Sequence, residues 1–258
     1  MLPVLHVRAF QDNYIWVIRG SSARQAVLVD PGDAGPVLDA LPRLGLTPVA
    51  ILCTHHHGDH VGGIAELQRH FPRLPVYGPA HEAIEGISHP LAEGDRVDLP
   101  GLGLKFQVLE VPGHTRGHIA YYGHGWLFCG DTLFSAGCGR LFEGTAEQMH
   151  ASLTRLAALP AETLVFCAHE YTLANLRFAL TVEPDNATAL AYRHEVEALR
   201  ARDESSIPST LAREHEINPF LRSSVPNVRR AAENYTGQTL ADSVSVFAAV
   251  RRWKDNFR

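Results

Sequence analysis

The stretch Thr54-His55-His56-His57-Gly58-Asp59-His60 decides how this chain is read. It follows the apolar run Val49-Ala50-Ile51-Leu52-Cys53, so its side chains lie where a strand should end. Imidazole and carboxylate are the groups that bind borderline divalent cations such as zinc. A solvated histidine cluster or a purification-tag remnant is the competing explanation. It fits poorly, because the run is internal, interrupted by Gly58-Asp59, and flanked by a predicted strand and a predicted helix.

Three further ligand-type residues sit at the ends of later apolar runs. His114 follows Phe106–Val111 through Pro112-Gly113, Asp131 follows Trp126–Cys129 through Gly130, and His169 follows Leu164–Cys167. In open α/β sheets, function gathers in the loops beyond the carboxyl ends of strands. Seven ligand candidates exceed what one tetrahedral zinc needs, so two divalent ions are expected. His55, His57 and His114 are assigned to one ion, Asp59, His60 and His169 to the other, with Asp131 bridging. The mixed N/O donor set suits zinc first, with iron or manganese as alternatives. His56 points away from its neighbours if the segment stays extended, and is read as a non-ligand. His118 either holds a ligand in place or satisfies a buried hydrogen bond.

Working outward, the 258 residues allow one large domain or a domain with a smaller partner. Hydrophobic residues make up 45% and charged residues 20%, an ordinary globular balance. A net charge of -5 argues against a general nucleic-acid binder. No apolar run approaches the roughly 20 residues that span a bilayer. The N-terminus, Met1-Leu2-Pro3-Val4-Leu5, lacks the pattern of a secretory signal. Cys53, Cys129, Cys138 and Cys167 form no C-x-x-C pair and are read as reduced thiols in a reducing cytoplasm. His6, His70, His81, His89, His124, His150, His194 and His215 have no ligand-like neighbours and are read as surface or packing residues.

Strands are expected at Val4–Phe10, Tyr14–Arg19, Ala26–Asp30, Val49–Thr54, Val76–Tyr77, Leu104–Val111, Ile119–Tyr122, Trp126–Cys129 and Leu164–Cys167. Turn formers such as Asp12-Asn13 and Gly20-Ser21-Ser22 separate the first of them. Helices are expected at Ala34–Leu44, from His60 to about Phe71, and at Ala146–Leu159 behind Thr145 as N-cap. From Tyr171 the pattern turns helical, with Ala187–Asp203, Ser209–His215 and Leu240–Trp253 joined by Pro208, Pro219 and Pro226. The whole predicts a layered α/β catalytic domain over residues 1–168 and a helical substrate-binding domain over 169–258.

The H-x-H-x-D-H run with its later His, Asp and His resembles the metallo-β-lactamase superfamily, whose fold is an αββα sandwich. That superfamily holds lactamases, thioesterases, lactonases, dioxygenases and nucleases, so it does not fix function. Longer stretches are similar to glyoxalase II: Cys129–Arg140, Glu143-Gly144-Thr145, His169-Glu170-Tyr171-Thr172, Asn218-Pro219-Phe220-Leu221-Arg222 and Arg251-Arg252-Trp253-Lys254-Asp255. The resemblance implies hydrolysis of the thioester S-D-lactoylglutathione to D-lactate and glutathione, the second step of methylglyoxal detoxification. It also implies glutathione contacts at Arg140, Tyr171, Arg251 and Lys254, and catalytic roles for Asp59 and Asp131. Phe142 stands where many glyoxalase II sequences carry Tyr, and Gly58 where a bulkier residue is common. A small-molecule substrate, no nucleic acid, no membrane and a monomeric state complete the expectation. A glutathione persulfide dioxygenase of the same superfamily, using one iron, is the nearest rival.

Overall fold

Asn13–Arg19 is apolar at nearly every position and buried along almost its whole length, as a strand covered on both faces must be. In the computed structural model, which describes residues 4–20 and 24–257, it is β2. Ser21 and Ser22 of the predicted turn Gly20-Ser21-Ser22, and Met1–Pro3, lie outside the described residues. The chain divides into two compact units, Met1–Glu110 with Arg116–Gly130, and Val111–Thr115 with Asp131–Arg258.

The first unit runs β1 (Val4–Ala9), β2 (Asn13–Arg19), β3 (Gln25–Val29), α1 (Ala34–Leu44), β4 (Thr47–Leu52), α2 (Gly58–Val61), α3 (Ile64–His70), β5 (Val76–Pro79), β6 (His89–Leu91), β7 (Arg96–Leu99), β8 (Leu104–Glu110), β9 (Ile119–Gly123) and β10 (Trp126–Gly130). β1 to β6 form one mixed sheet in sequence order, antiparallel through β1-β2-β3 and parallel from β3 to β6. β7 to β10 form antiparallel neighbours of a second sheet. In β8, Leu104, Phe106 and Val108 are buried while Lys105 and Gln107 are exposed, the period-two signature of a strand with one wet face. α1 and α3 bury Val37, Leu41, Ile64 and Leu67 against Ile15, Val17, Leu28 and Ile51. Each such side chain contributes about 1.5–3 kcal/mol when fully buried. The Tyr121 hydroxyl of β9 donates to the Cys53 carbonyl just past β4 at 2.8 Å, tying the second sheet to the first at the histidine loop.

The second unit holds β11 (Leu133–Phe134), β12 (Gly137–Cys138), α4 (Ala146–Ala157), β13 (Leu164–Cys167), α5 (Thr172–Val182), α6 (Ala187–Ala201), β14 (Ser209–Thr210), α7 (Leu211–Ile217), α8 (Pro226–Thr236) and α9 (Ser243–Asn256). Thr145 caps α4 as predicted, in a reciprocal capping box with Gln148. α5, α6 and α7 share a core of Leu176, Ala179, Ala189, Tyr192, Val196 and Ile217.

Three predicted elements are corrected. The helix expected from His60 to Phe71 is two helices, broken at Gly62-Gly63, where the Gly63 amide donates to the Pro31 carbonyl instead. Ser209-Thr210 pairs as β14 with β13, so the helix there begins at Leu211 with Thr210 as its cap. Pro226, read as a linker, is the first residue of α8, a position that needs no amide hydrogen. β6, β11 and β12 are too short for a periodicity reading to find, and β7 offers no apolar run, with Val97 its one buried residue.

The loop Asp30-Pro31-Gly32 lies so close to α2 that a Cβ on Gly32 would stand 1.8 Å from the Asp59 carbonyl oxygen. Gly32→Ala is therefore expected to destabilise the protein by about 1–3 kcal/mol. Urea denaturation reads this as a lowered midpoint, and an unchanged midpoint would show that the loop has room to move.

Candidate metal centre

The first unit presents its four donors as two pairs. His55 Nε2 lies 3.1 Å from His57 Nδ1, and His60 Nε2 lies 3.5 Å from Asp59 Oδ2. The rings of His55 and His60 are 4.0 Å apart. Hydrogen bonds behind the rings decide which nitrogen each offers. Thr54 Oγ1 gives its proton to Asp30 Oδ2 at 2.8 Å, so toward His55 Nδ1, 3.1 Å away, it can only accept. His55 Nδ1 thus carries hydrogen and Nε2 keeps its lone pair. His60 Nδ1 lies 3.1 Å from the same Asp30 oxygen, which leaves His60 Nε2 facing forward. Asp30 also accepts from the Thr54 amide at 2.8 Å and holds a left-handed φ of 51°. One buried carboxylate therefore sets two imidazole tautomers.

Asn13 performs the matching task for Asp59, donating from Nδ2 to Oδ2 at 2.9 Å and to the Asp59 carbonyl at 3.4 Å. His56 turns aside, with Nδ1 2.9 Å from Glu82 Oε2, in keeping with its reading as a non-ligand. His118 is fully buried and stacks on His55 with centroids 4.6 Å apart and 17° between planes. Gly130 must be glycine, since its φ is +48° and a Cβ would meet Thr54 Oγ1 at 2.3 Å and His118 Nε2 at 2.8 Å. The sequence gives Asp30, Thr54 and Asn13 no role at the site. Only the D-P-G turn after β3 hinted at the first of them.

The second unit presents a carboxylate between two imidazoles. Asp131 Oδ2 lies 3.5 Å from His114 Nε2, and Asp131 Oδ1 lies 3.3 Å from His169 Nε2. His114 Nδ1 is 2.8 Å from the Arg140 carbonyl, which can only accept, so His114 Nε2 also holds a lone pair. The His169 ring stacks flat on Tyr171, 4.7 Å away at 6°, with Phe134 edge-on to both.

His114 and Asp131 line a cavity of about 420 Å³ whose other walls include Arg140, Phe142, Tyr171, Arg251 and Lys254. All four predicted substrate contacts thus border one cavity, but they are not equivalent. Arg251 is buried and its fork is engaged, with Nη1 donating to the Cys138 carbonyl at 2.8 Å and Nη2 to Asp255 Oδ1 at 2.9 Å. Lys254 reaches the Ala174 carbonyl at 3.3 Å. Its ammonium is pushed down from 10.5 to about 8, by burial first and then by Arg251 and Arg140. Phe142 is exposed, and its ring lies 5.2 Å from that of His114 at 68°. A larger cavity of about 810 Å³ near Arg222, Tyr235 and Trp253 contains none of the donors, and its Arg222 is held by Glu183.

All four cysteines are buried, and none is in a disulfide. Burial raises the Cys53 thiol well above its usual range and pushes that of Cys138 up to about 11. Both are inert hydrophobes. No helix among the described residues is long and apolar enough to cross a membrane.

Residues 9–169 match the model of the metallo-beta-lactamase superfamily, and residues 170–257 match that of the hydroxyacylglutathione hydrolase C-terminus. A protein of Nitrosomonas eutropha named hydroxyacylglutathione hydrolase is 54% identical over 258 residues, the full length of both chains. The chain belongs to the hydroxyacylglutathione hydrolase family. It has the metallo-β-lactamase fold, mixed sheets flanked by helices, followed by the helical region of hydroxyacylglutathione hydrolases. Among solved structures, ETHE1 from Myxococcus xanthus is similar at a TM-score of 0.65 and 27% identity, each chain covered to 98%. TTHA1623, solved in a di-iron-bound form, is similar at a TM-score of 0.58 and 31% identity, covering 85% of this chain and 100% of its own.

Proposed function

We propose that this enzyme hydrolyses S-D-lactoylglutathione to D-lactate and glutathione with the help of two divalent ions, most suitably zinc. The observation that carries the reading is the Asp131 carboxylate, with one oxygen toward His114 and the other toward His169, at the wall of a cavity that also bears Arg140 and Lys254. The full-length hydroxyacylglutathione hydrolase relatives support the substrate class, and a 31% identical structure that holds two irons supports the count of ions.

In this reading His55, His57 and His114 would hold one ion, Asp59, His60 and His169 would hold the other, and Asp131 would serve both. When bound, such ions lower the pKa of water from 15.7 toward about 7 and polarise a carbonyl. The chain supplies the rest. Asp59, fixed by Asn13, and Asp131 orient the attacking oxygen. Arg140 and Lys254 hold glutathione carboxylates, Arg by a planar fork and Lys as a point charge. Tyr171 offers a ring face beside His169. A thiolate leaves without a proton donor, so the site needs no separate acid. Residues 1–168 then carry the chemistry and 169–258 the substrate, a division supported by the boundary between the two family matches. Four buried thiols outside any disulfide support a reducing cytoplasm, and we assign a monomer.

The test is to assay lactoylglutathione hydrolysis on the purified protein while counting its metals by elemental analysis. Metal-replete protein that leaves the thioester intact would end this reading. One iron per chain with oxygen uptake on glutathione persulfide would favour the dioxygenase.

Lys254 also gives the reaction a pH signature. Around it stand the charges of Arg251, Arg140 and Asp255, the Cys138 thiol, and the rings of Phe178 and Phe257. Below about 8 its ammonium is charged and can hold a carboxylate; above, that hold is lost. kcat/KM, which reports the free enzyme, is expected to fall as pH rises through this value. Lys254→Arg, charged throughout, should lose that limb. A wild-type profile flat across pH 8 would remove Lys254 from substrate binding.

A further inference from the structure

Glu214 of α7 is fully buried and has no part in the chemistry above, yet its carboxylate faces a backbone turn that the local sequence does not stabilise. β11 and β12 are joined by Ser135-Ala136, with Phe134 paired to Gly137. Ala136 has a φ of 55° and Ser135 does not share that region. Two-residue hairpin turns favour positive φ at the first central residue or at both, usually on Gly or Asn. A lone positive φ on an alanine at the second is disfavoured twice, by strand twist and by its own Cβ.

Side chains from elsewhere hold this turn. The Ala136 amide donates to Glu214 Oε2 at 2.7 Å, and Ser135 Oγ to Glu214 Oε1 at 3.0 Å. Asn218 Nδ2 is shared among the Phe134 carbonyl at 3.1 Å, the Gly137 carbonyl at 3.0 Å and Glu214 Oε2 at 3.0 Å. Asn175 Nδ2 donates to the Ser135 carbonyl at 3.0 Å. From β14, outside the hairpin, Ser209 Oγ donates to Glu214 Oε1, the oxygen that Ser135 also uses. The other end of the hairpin meets the donors. Asp131 lies just before β11 and Gly139 just after β12, with the Gly139 amide on the Thr132 carbonyl at 3.3 Å. The next residue, Arg140, supplies the carbonyl that orients His114.

We propose that Glu214 is a positioning residue: it fixes the Ser135-Ala136 turn, and through that hairpin it sets Asp131 and the Arg140 carbonyl behind His114. This rests on the reading of Asp131 and His114 as metal donors. The chemistry of the carboxylate makes it specific. Four donors converge on two oxygens, and the backbone amide of Ala136 cannot turn to accept as a serine hydroxyl can.

Glu214→Gln keeps the shape and one acceptor oxygen but loses the second. It is expected to weaken zinc retention against a chelator by about tenfold, the low end for residues that orient metal ligands. kcat should fall by a similar factor with KM within about twofold. Adding Ala136→Gly, which takes positive φ freely, should restore much of both. Ser209→Ala removes a donor that is not part of the hairpin and should lower Tm while leaving zinc retention and kcat unchanged. The proposal is overturned if Glu214→Gln lowers only Tm, or if Ser209→Ala moves zinc retention and kcat equally. Zinc retention needs no substrate, so its loss in Glu214→Gln beside a wild type inert to thioesters would keep the positioning role and reject the proposed reaction.

Discussion

Asp131→Asn should abolish almost all thioester hydrolysis, by at least about 10³-fold, the scale on which an ion-generated nucleophile and an oxyanion contact act. The substitution is nearly isosteric, so packing is not the cause. Asp131 is the one carboxylate with separate oxygens toward His114 and His169, at 3.5 and 3.3 Å. An amide offers one oxygen and turns an NH₂ toward the other imidazole. It also removes a negative charge that would offset the charge of bound divalent ions. Elemental analysis should then find fewer than two ions per chain. Full metal content with normal turnover would refute the shared-ligand role, whatever the fate of the rest of the site.

Asp30→Asn should produce the second largest effect, although Asp30 is not a proposed ligand. Asparagine tolerates positive φ, so the backbone at 51° need not move. What changes is the hydrogen bonding behind His55 and His60. The single amide oxygen can serve the Thr54 amide, which leaves NH₂ facing Thr54 Oγ1 and His60 Nδ1. His60 would then accept at Nδ1 and carry its proton on Nε2, the atom that must be bare to bind an ion. Zinc affinity is expected to drop about 10- to 100-fold, the usual cost of losing such an orienting group. Nitrogen NMR of the histidines should show the exchanged tautomer. Unaltered zinc affinity would mean that Asp30 matters only to packing.

These two residues mark the boundary of what can be read along the chain. Asp131 is legible because it stands two residues past an apolar run, and strand ends gather donors. Asp30 stands equally near a strand end, but its importance depends on His60, thirty positions later in the chain. No local pattern reports such a contact. The same holds for the tail. Arg251-Arg252-Trp253-Lys254 reads as one basic cluster, yet Arg251 is buried on Cys138 and Asp255 while Lys254 keeps a half-buried ammonium. Helix ends followed the same rule. Thr145 was found because its cap partner, Gln148, is three residues away, and the break at Gly62-Gly63 was missed because Pro31 causes it.

The sequence by itself determined which residue types can bind an ion, the apolar runs that deliver them, and the family likeness that names the chemistry. All of these rest on side-chain identity and near-neighbour spacing, which a linear reading contains. Only the tertiary structure decided which imidazole nitrogen is bare, which cations are already paired, and how an unfavourable turn at Ala136 is held. Those outcomes depend on hydrogen bonds between groups far apart in the chain, and burial strengthens each by excluding water as a competing partner.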